Sequence, residues 1–404
     1  MTVVCAGVDW ASEEHAVCVL TDAGELLHEG TVRHDEAGLE ALCALLCALG
    51  AGRVAIERPD GVLVERLLAA GLCVYALHPN QVKAARPRFR ASGGKSDRFD
   101  AFVLAELART DHHRFRPLAG DSDETRALRA LTRAREDLVA ARVALANQLR
   151  AELERGWPGA ARIFAEVDSP IALAFLERYP SPGDARALGE RRLAAFLARH
   201  SYCGRRSAAE LLARLKEAPA VVLGELEAEA RRGVVLALVA ALKVLVERIR
   251  LLASEIAGAV RQHADGELFL SLFRDRKSTV TAACLVAEIG DQRGRYPTAE
   301  ALAADAGMCP VAVESGKRKV ATFRRACDKR LRDAVVTLCD STRHWHPWAH
   351  DVYERARGRG CDHAHATRVL GRAWLRVLWR MWQDRVPYDP ARHGSLQALC
   401  AIGG

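Results

Sequence analysis

Short β-branched and apolar runs open the chain: residues 3 to 9 (VVCAGVD), 15 to 20 (HAVCVL) and 26 to 32 (LLHEGTV), parted by the turn-like stretches ASEE and DAGE. They predict a three-stranded meander. A helical pattern follows at about 35 to 49, then a strand at 53 to 57 (RVAIE), a helix near 60 to 70 and a strand at 72 to 77 (LCVYAL). From about 121 helical spacing takes over. Leu131, Leu138 and Leu145 recur every seven residues, while Val235, Leu238, Leu242, Leu245, Ile249, Leu252 and Ile256 keep a stricter spacing of three and four. Two long helices paired as a coiled coil, within the chain or between subunits, are expected. After 265 comes a compact helical region broken by one turn, AGMCPVAVESGKRKV (306 to 320), then a basic helical tail to about 385 and a loosely ordered end.

The β-β-β-α-β-α-β order is that of a ribonuclease H type mixed sheet, so the fold class is α/β followed by α. The expected division is an α/β domain over 1–120, a helical coiled-coil region over 121–264, a mainly helical domain over 265–390 and a tail over 391–404. The longest apolar run, GVVLALVAALKVLV (233 to 246), is interrupted by Lys243 and falls short of the roughly 20 residues of a membrane span. The N-terminus lacks the basic and apolar regions of a signal peptide, so a cytoplasmic location and no membrane partner are expected. Twelve cysteines without a CxxC pair read as free thiols.

Charge changes the picture once it is located. The chain carries a net charge of +8, and residues 315 to 385 hold 17 Lys and Arg against 7 Asp and Glu. The positive field belongs to the C-terminal part and points to a polyanionic partner. Trp345, Trp348, Trp374, Trp379 and Trp382 lie among Leu and Val at helical spacing, which favours a helical core over a base-stacking face.

The acids are fewer and more telling. Asp9 ends the first strand and Glu57 the fourth, so the proposed sheet sets them side by side at one rim. GGKSDRFDA (93 to 101) follows a basic, Pro-containing stretch that reads as a loop, and it puts Asp97 and Asp100 three apart on one helix face. Singly, Asp9 caps a turn, Glu57 pairs with Arg58 or Arg53, and KSDRFDA is an N-capped surface helix. Together, four converging carboxylates repel unless a divalent metal neutralises them. Two Mg²⁺ ions bridging a scissile phosphate meet that need and supply chemistry.

GVDWASEEHAVCVL, AIERPDG, LHPNQVKAARPRFRASGGKSDRFDAFVLAELAR and AEIGDQRGRYPTAEALAADAGMCPVAVESGKRKV together resemble the DEDD transposases of bacterial insertion sequences, recombinases guided by a bridge RNA. The likeness covers both ends of the chain, in order. It implies that Asp9, Glu57, Asp97 and Asp100 are the acidic residues of a RuvC-like domain that binds Mg²⁺. It also implies that Ser315 is the nucleophile of a C-terminal transposase domain and forms a covalent phosphoserine with DNA. In the family the two sites act on the same phosphate from different subunits, so a homo-oligomer, dimer or tetramer, is implied, with donor DNA, target DNA and a bridge RNA as partners.

Independently of the family, a Ser before Gly in a turn exposes its Oγ, and Lys317, Arg318 and Lys319 can stabilise charge on an approaching phosphate. Lys95 and Arg98 flank the acidic pair, and Arg324 and Arg325 follow the turn. RGRGCDHAHATRVLGRAWLRVLW resembles the family's closing pattern, with His363 and Arg368 at matching positions. Cys361, His363, His365, His344, His346 and His350 invite a zinc reading, but their spacing fits no ordinary zinc module. One departure is SLFRDRKSTVTAACLVAEIGD, which lacks the glycines of the family's helix-hairpin-helix turn; Arg274, Arg276 and Lys277 are the cations there.

Three other readings compete. A RuvC-like nuclease or junction resolvase would use the acidic site alone and would not need Ser315. A sugar-kinase or actin-like ATPase should show a phosphate-binding Gly and Thr just after Asp9, and DWASEEH supplies neither. A non-catalytic nucleic-acid-binding transposon relic would keep the fold and the charge.

Overall fold

The computed structural model describes residues 3–90, 94–274, 278–315 and 318–403. Contacts divide the chain into two compact units, Met1–Ser122 with Asp291–Pro297, and Asp123–Gly290 with Thr298–Gly404.

The first unit contains the strands β1 (Val4–Asp9), β2 (Glu14–Leu20), β3 (Leu26–Arg33), β4 (Ala51–Ile56) and β5 (Val74–Ala76), and the helices α1 (Glu36–Ala48), α2 (Val62–Ala69), α3 (Pro79–Phe89) and α4 (Asp97–Thr110). The sheet order is β3-β2-β1-β4-β5, with the meander antiparallel and β4 and β5 parallel to their neighbours. Its central strands are nearly continuous apolar runs because both faces are covered. Leu39, Leu42, Leu46, Leu63 and Leu67 pack from α1 and α2 on one face, and Phe99, Val103, Leu104 and Leu107 of α4 pack on the other.

The stretch read as a basic loop before Asp97 is instead largely the helix α3. His78 caps it, accepting from the Asn80 amide at 3.1 Å, and Pro79 stands at its start. Proline there loses no helical hydrogen bond, and Pro87 falls in the final turn, where the helix is about to end.

The second unit is built on two long helices, α5 (Asp123–Gly156) and α10 (Glu225–Gln262), which pack on each other within the chain. Between them lie α6 (Pro158–Ile163), α7 (Pro170–Arg178), α8 (Glu190–Arg199) and α9 (Ala208–Glu217). These short helices bring Phe175, Phe196, Leu193 and Leu211 into a core with Leu149, Leu153, Val235 and Leu242. Along α10 the seven-residue spacing is buried at Val235, Leu242, Ile249 and Ile256. On α5 the heptad leucines Leu131, Leu138 and Leu145 are only half-buried, while Leu128, Thr132, Leu149 and Leu153 are buried. The reason is that α5 packs against α12 as well as α10, so its buried face turns along its length.

Onward run α11 (Gly266–Leu270), α12 (Thr279–Ile289), α13 (Ala299–Asp305), the hairpin β6 (Val311–Ser315) and β7 (Arg318–Thr322), α14 (Lys329–Thr342), α15 (Pro347–Gly358), α16 (His363–Asp384) and α17 (Gly394–Gly403). The boundary expected near 264 is bridged rather than open. His263 Nε2 lies 2.8 Å from Thr125 Oγ1, and Arg133 of α5 forks onto Glu288 of α12 at 2.8 and 2.7 Å. The motif GMCPVAVES enters a two-stranded hairpin where only a turn was expected, because Val311, Val313, Val320 and Thr322 form cross-strand pairs. Trp374, Trp382 and Trp348 are buried, as helical spacing implied.

Candidate functional site

In the first unit β1 and β4 run parallel with Val8 opposite Ile56, so Asp9 and Glu57 emerge side by side at the strands' C-terminal ends. What brings α4 to that rim is Gly7. A Cβ there would run into the Ala101 carbonyl and the Ala105 amide, so α4 lies directly on the β1 backbone. Ser96 caps α4, accepting from the Phe99 amide at 3.2 Å, which puts Asp97 and Asp100 in the first turn. Anionic side chains are stabilised there by the helix dipole.

The helix is thus N-capped, but it is not a surface helix: Asp100 is 2% exposed and Phe99 is buried. Asp100 is held by Arg86 of α3, whose Nε and Nη2 donate to Oδ1 and Oδ2 at 2.6 and 2.8 Å, with Lys95 Nζ at 4.0 Å. Glu57 does not take up Arg58, which pairs with Asp60 at 3.5 Å and stacks at 4.2 Å over the ring of Trp10. Among the described residues Asp9, Glu57 and Asp97 make no ion pair. Burial, and then the charges of Asp100, Glu57 and Asp97, push the Asp9 carboxyl up to about 7, against a smaller pull from Lys95. The sheet rim and α4 therefore do bring the four acids into one electrostatic neighbourhood.

Among the described residues no three His, Cys, Asp or Glu side chains stand close enough to enclose a metal ion as placed. Arg86 supplies the cation at Asp100 instead. The donor set nevertheless suits a hard divalent cation: the donors are carboxylate oxygens, and burial together with the neighbouring carboxylates raises Asp9, a cost that a cation would relieve. Arg98 is tied to Glu29, and Lys95 leans on Asp100.

In the second unit, Ser315 closes β6 opposite Arg318, the first residue of β7. The structure describes the backbone of Ser315, Arg318 and Lys319, while Lys317, Arg276 and Lys277 lie outside the described residues. Beneath the hairpin, Gly307 at φ +65° lies against the Arg332 guanidinium. A side chain would be strained by the backbone and blocked by the arginine, which accounts for the Gly of GMCPV. Arg332 and Arg368 stand over the Phe323 ring at 4.7 and 5.0 Å. Arg324 Nε donates to the Cys309 carbonyl at 3.2 Å.

The histidines divide by environment. His346 is buried and bonds Tyr388, while His363 Nδ1 lies 2.8 Å from Tyr353 Oη. His350 faces the Arg343 carbonyl at 3.1 Å. A shared zinc site is not among the described groupings.

Comparison with known proteins gives these two sites a context. A profile of the DEDD transposases of the IS110 type, described as "Transposase", matches residues 6–158, and one described as "Transposase IS116/IS110/IS902 family" matches residues 277–354. The candidate transposase of the IS117 mini-circle of Streptomyces coelicolor is 34% identical over 97% of this chain and 96% of its own length. The chain belongs to the IS110/IS116/IS902 transposase family. Members similar to it include an uncharacterized 42 kDa protein of insertion element IS900 from Mycobacterium paratuberculosis, 31% identical over 96% of this chain and 98% of that protein. Another is a protein of insertion element IS116 from Streptomyces clavuligerus, 31% identical over 96% of each chain. Membership in this transposase family makes DNA the expected substrate, and its DEDD class implies a divalent metal. Among the described residues no helix is long and apolar enough to cross a membrane.

Two features of the sites were missed from sequence. Arg86 was hidden in the stretch read as a loop. The row Arg368, Arg372, Arg376 on α16, at intervals of four, was a visible signal passed over because only Arg368 matched the family pattern.

Proposed function

We propose that this transposase cuts and rejoins donor and target DNA through two cooperating sites, with an RNA guide choosing the sequences. The observation that carries the reading is the convergence of Asp9, Glu57 and the first turn of α4, felt as the raised Asp9 carboxyl. Asp9, Glu57, Asp97 and Asp100 would hold Mg²⁺, which when bound polarises the scissile phosphate.

The chain's own groups do the remainder. Ser315 Oγ attacks phosphorus, one Ser–O–P bond replaces one P–O ester bond of the strand, and the released hydroxyl end takes up the proton. Attack by a new hydroxyl end on the phosphoserine restores the serine and joins the strands, so no energy source is consumed. Lys317, Arg318 and Lys319 would steady the phosphate charge, and Lys95, Arg98, Arg324, Arg325, His363 and Arg368 the flanking strand. The two sites would come from different subunits of a homo-oligomer. The guide RNA rests on the resemblance of the motif frame, and RNA co-purifying with the protein, matching the flanks of its element, is the check.

A RuvC-like nuclease is the competing reading. Ser315→Ala separates the two: the proposed enzyme loses both strand exchange and the covalent protein–DNA adduct, whereas a nuclease goes on cutting without one.

A further inference from the structure

A cavity of about 540 Å³ lies at the base of the β6–β7 hairpin, between the hairpin, Val352 of α15 and one face of α16. Its lining includes Arg324, Arg368, Arg372, Arg376 and His365, and none of the described residues that line it is acidic. Arg368, Arg372 and Arg376 stand four apart, one above another on the helix. Their charge is little compensated locally. Among the described residues Arg376 meets Glu300 at 3.3 Å, Arg324 Nε donates to the Cys309 carbonyl, and the buried Nε of Arg372 makes no hydrogen bond. The remaining lining is apolar: Met308, Pro310, Phe323, Val352, Val369 and Ala373.

That combination selects a ligand class. A lone phosphate would leave most of 540 Å³ and the apolar lining unfilled. A purely apolar guest would leave several guanidiniums without an anion. A nucleotide satisfies both, with a flat base on the apolar side and on the guanidinium planes and a phosphate among the arginine donors. A base can enter only if it is unpaired and unstacked. We infer that this pocket binds one unpaired nucleotide of the strand being processed or of its guide, holding it beside the hairpin that bears Ser315. Thr322 lines the pocket and pairs with Val311, and Ser315 is four strand residues beyond, roughly 13 Å away. The inference rests on the reading of the second unit as the serine-bearing half of a DNA recombinase and adds a fixed grip on the strand.

The test uses the full chain as Ser315→Ala without added metal, so that catalysis plays no part. Short single strands of DNA and of RNA, identical in sequence and carrying 5-iodouracil, are bound, irradiated and mapped. Cross-linking to peptides containing Met308 or Phe323 in either arm supports the pocket, and the arm that cross-links names the strand. Ala373→Trp, which fills the cavity and keeps every charge, should abolish the cross-link and weaken binding at least about tenfold. Arg372→Ala should lower the salt dependence of binding by about one phosphate contact, a change near 0.7 in log–log slope. Both variants are checked for an unchanged unfolding midpoint; if Ala373→Trp fails that check Val369→Trp takes its place, and if Arg372→Ala fails Arg372→Gln does. Cross-links confined to other peptides, or undiminished binding by the filled but folded variant, overturn the inference. Failure of the recombinase reading shows differently, as absence of the Ser315 adduct while the pocket still cross-links.

Discussion

The two units solve opposite electrostatic problems. At the rim of the first, the backbone contact at Gly7 forces Asp97 and Asp100 toward Asp9 and Glu57, and the mutual repulsion is only partly met by Arg86 and Lys95. In the second, Arg324, Arg368, Arg372 and Arg376 line one cavity with no acid among its described lining residues. Each is a charge concentration that, under the function proposed above, a partner of opposite sign would relieve: cations in one case and phosphates in the other. Sites that depart from local self-consistency in this way are where function is expected.

The sharpest way to break the comparison is to remove the contact that creates the acidic rim. Gly7→Val should cost several kcal/mol, because a side chain there meets α4 backbone rather than a movable side chain. It should abolish strand exchange while single-strand binding at the second unit persists, a split that thermal unfolding and oligonucleotide binding on the same protein would reveal. If binding vanished as well with the second unit still folded, the two charge centres would not be separable.

A smaller effect is expected at Arg86. Arg86→Leu leaves the carboxylate of Asp100 buried without its bidentate partner, which should cost about 3–5 kcal/mol. Added Mg²⁺ should return part of that loss in an unfolding experiment, since a cation replaces a cation. An equal loss with and without Mg²⁺ would count against a metal-binding role for Asp100.

Smaller still is a pH effect in the second unit. Burial, and then His393, hold the His346 imidazole down at about 4, and burial also lowers His393. His346 Nε2 and His393 Nδ1 each lie 2.8 Å from Tyr388 Oη. Both rings are therefore kept neutral in the fold, while in the unfolded chain they take up protons near pH 6.5. The contribution of His346 is complete above pH 6.5, falls as pH drops toward 4 and levels off below that, and His393 acts in the same direction. His346 accounts for at most about 3 kcal/mol of this, at about 1.4 kcal/mol per pH unit. His346→Asn, which can still cap α15, should flatten the unfolding midpoint against pH over that window. An unchanged slope would place the effect elsewhere.

Much of the acidic half was legible in the chain. The strands were set by short apolar, β-branched runs parted by turn-like stretches, and Asp9 and Glu57 fall at strand ends wherever the exact boundary lies. Asp97 and Asp100 share a helix face by spacing alone. Arg86 was not legible, because its stretch carries prolines and basic residues that suit a loop. Only the tertiary docking of α3 makes it a helix whose arginine reaches a carboxylate fourteen residues on. The hairpin under Ser315 was masked by a Gly-containing turn signal stronger than the short alternation on either side. Leu131, Leu138 and Leu145 misled in a different way: a seven-residue repeat implies one partner, and α5 has more than one.

The central claim, that the acidic site of one subunit and Ser315 of another serve a single phosphate, is tested most directly by mixing two inactive proteins. Asp9→Asn keeps the serine and Ser315→Ala keeps the acids. The two are made in distinguishable lengths, co-assembled and given donor and target DNA with Mg²⁺, and the readout is the covalent protein–DNA adduct, which needs only one complete site. Each protein alone should form none, and the mixture should form it on the Asp9→Asn chain only. A mixture that stays inert, or an adduct on the Ser315→Ala chain, would contradict the account.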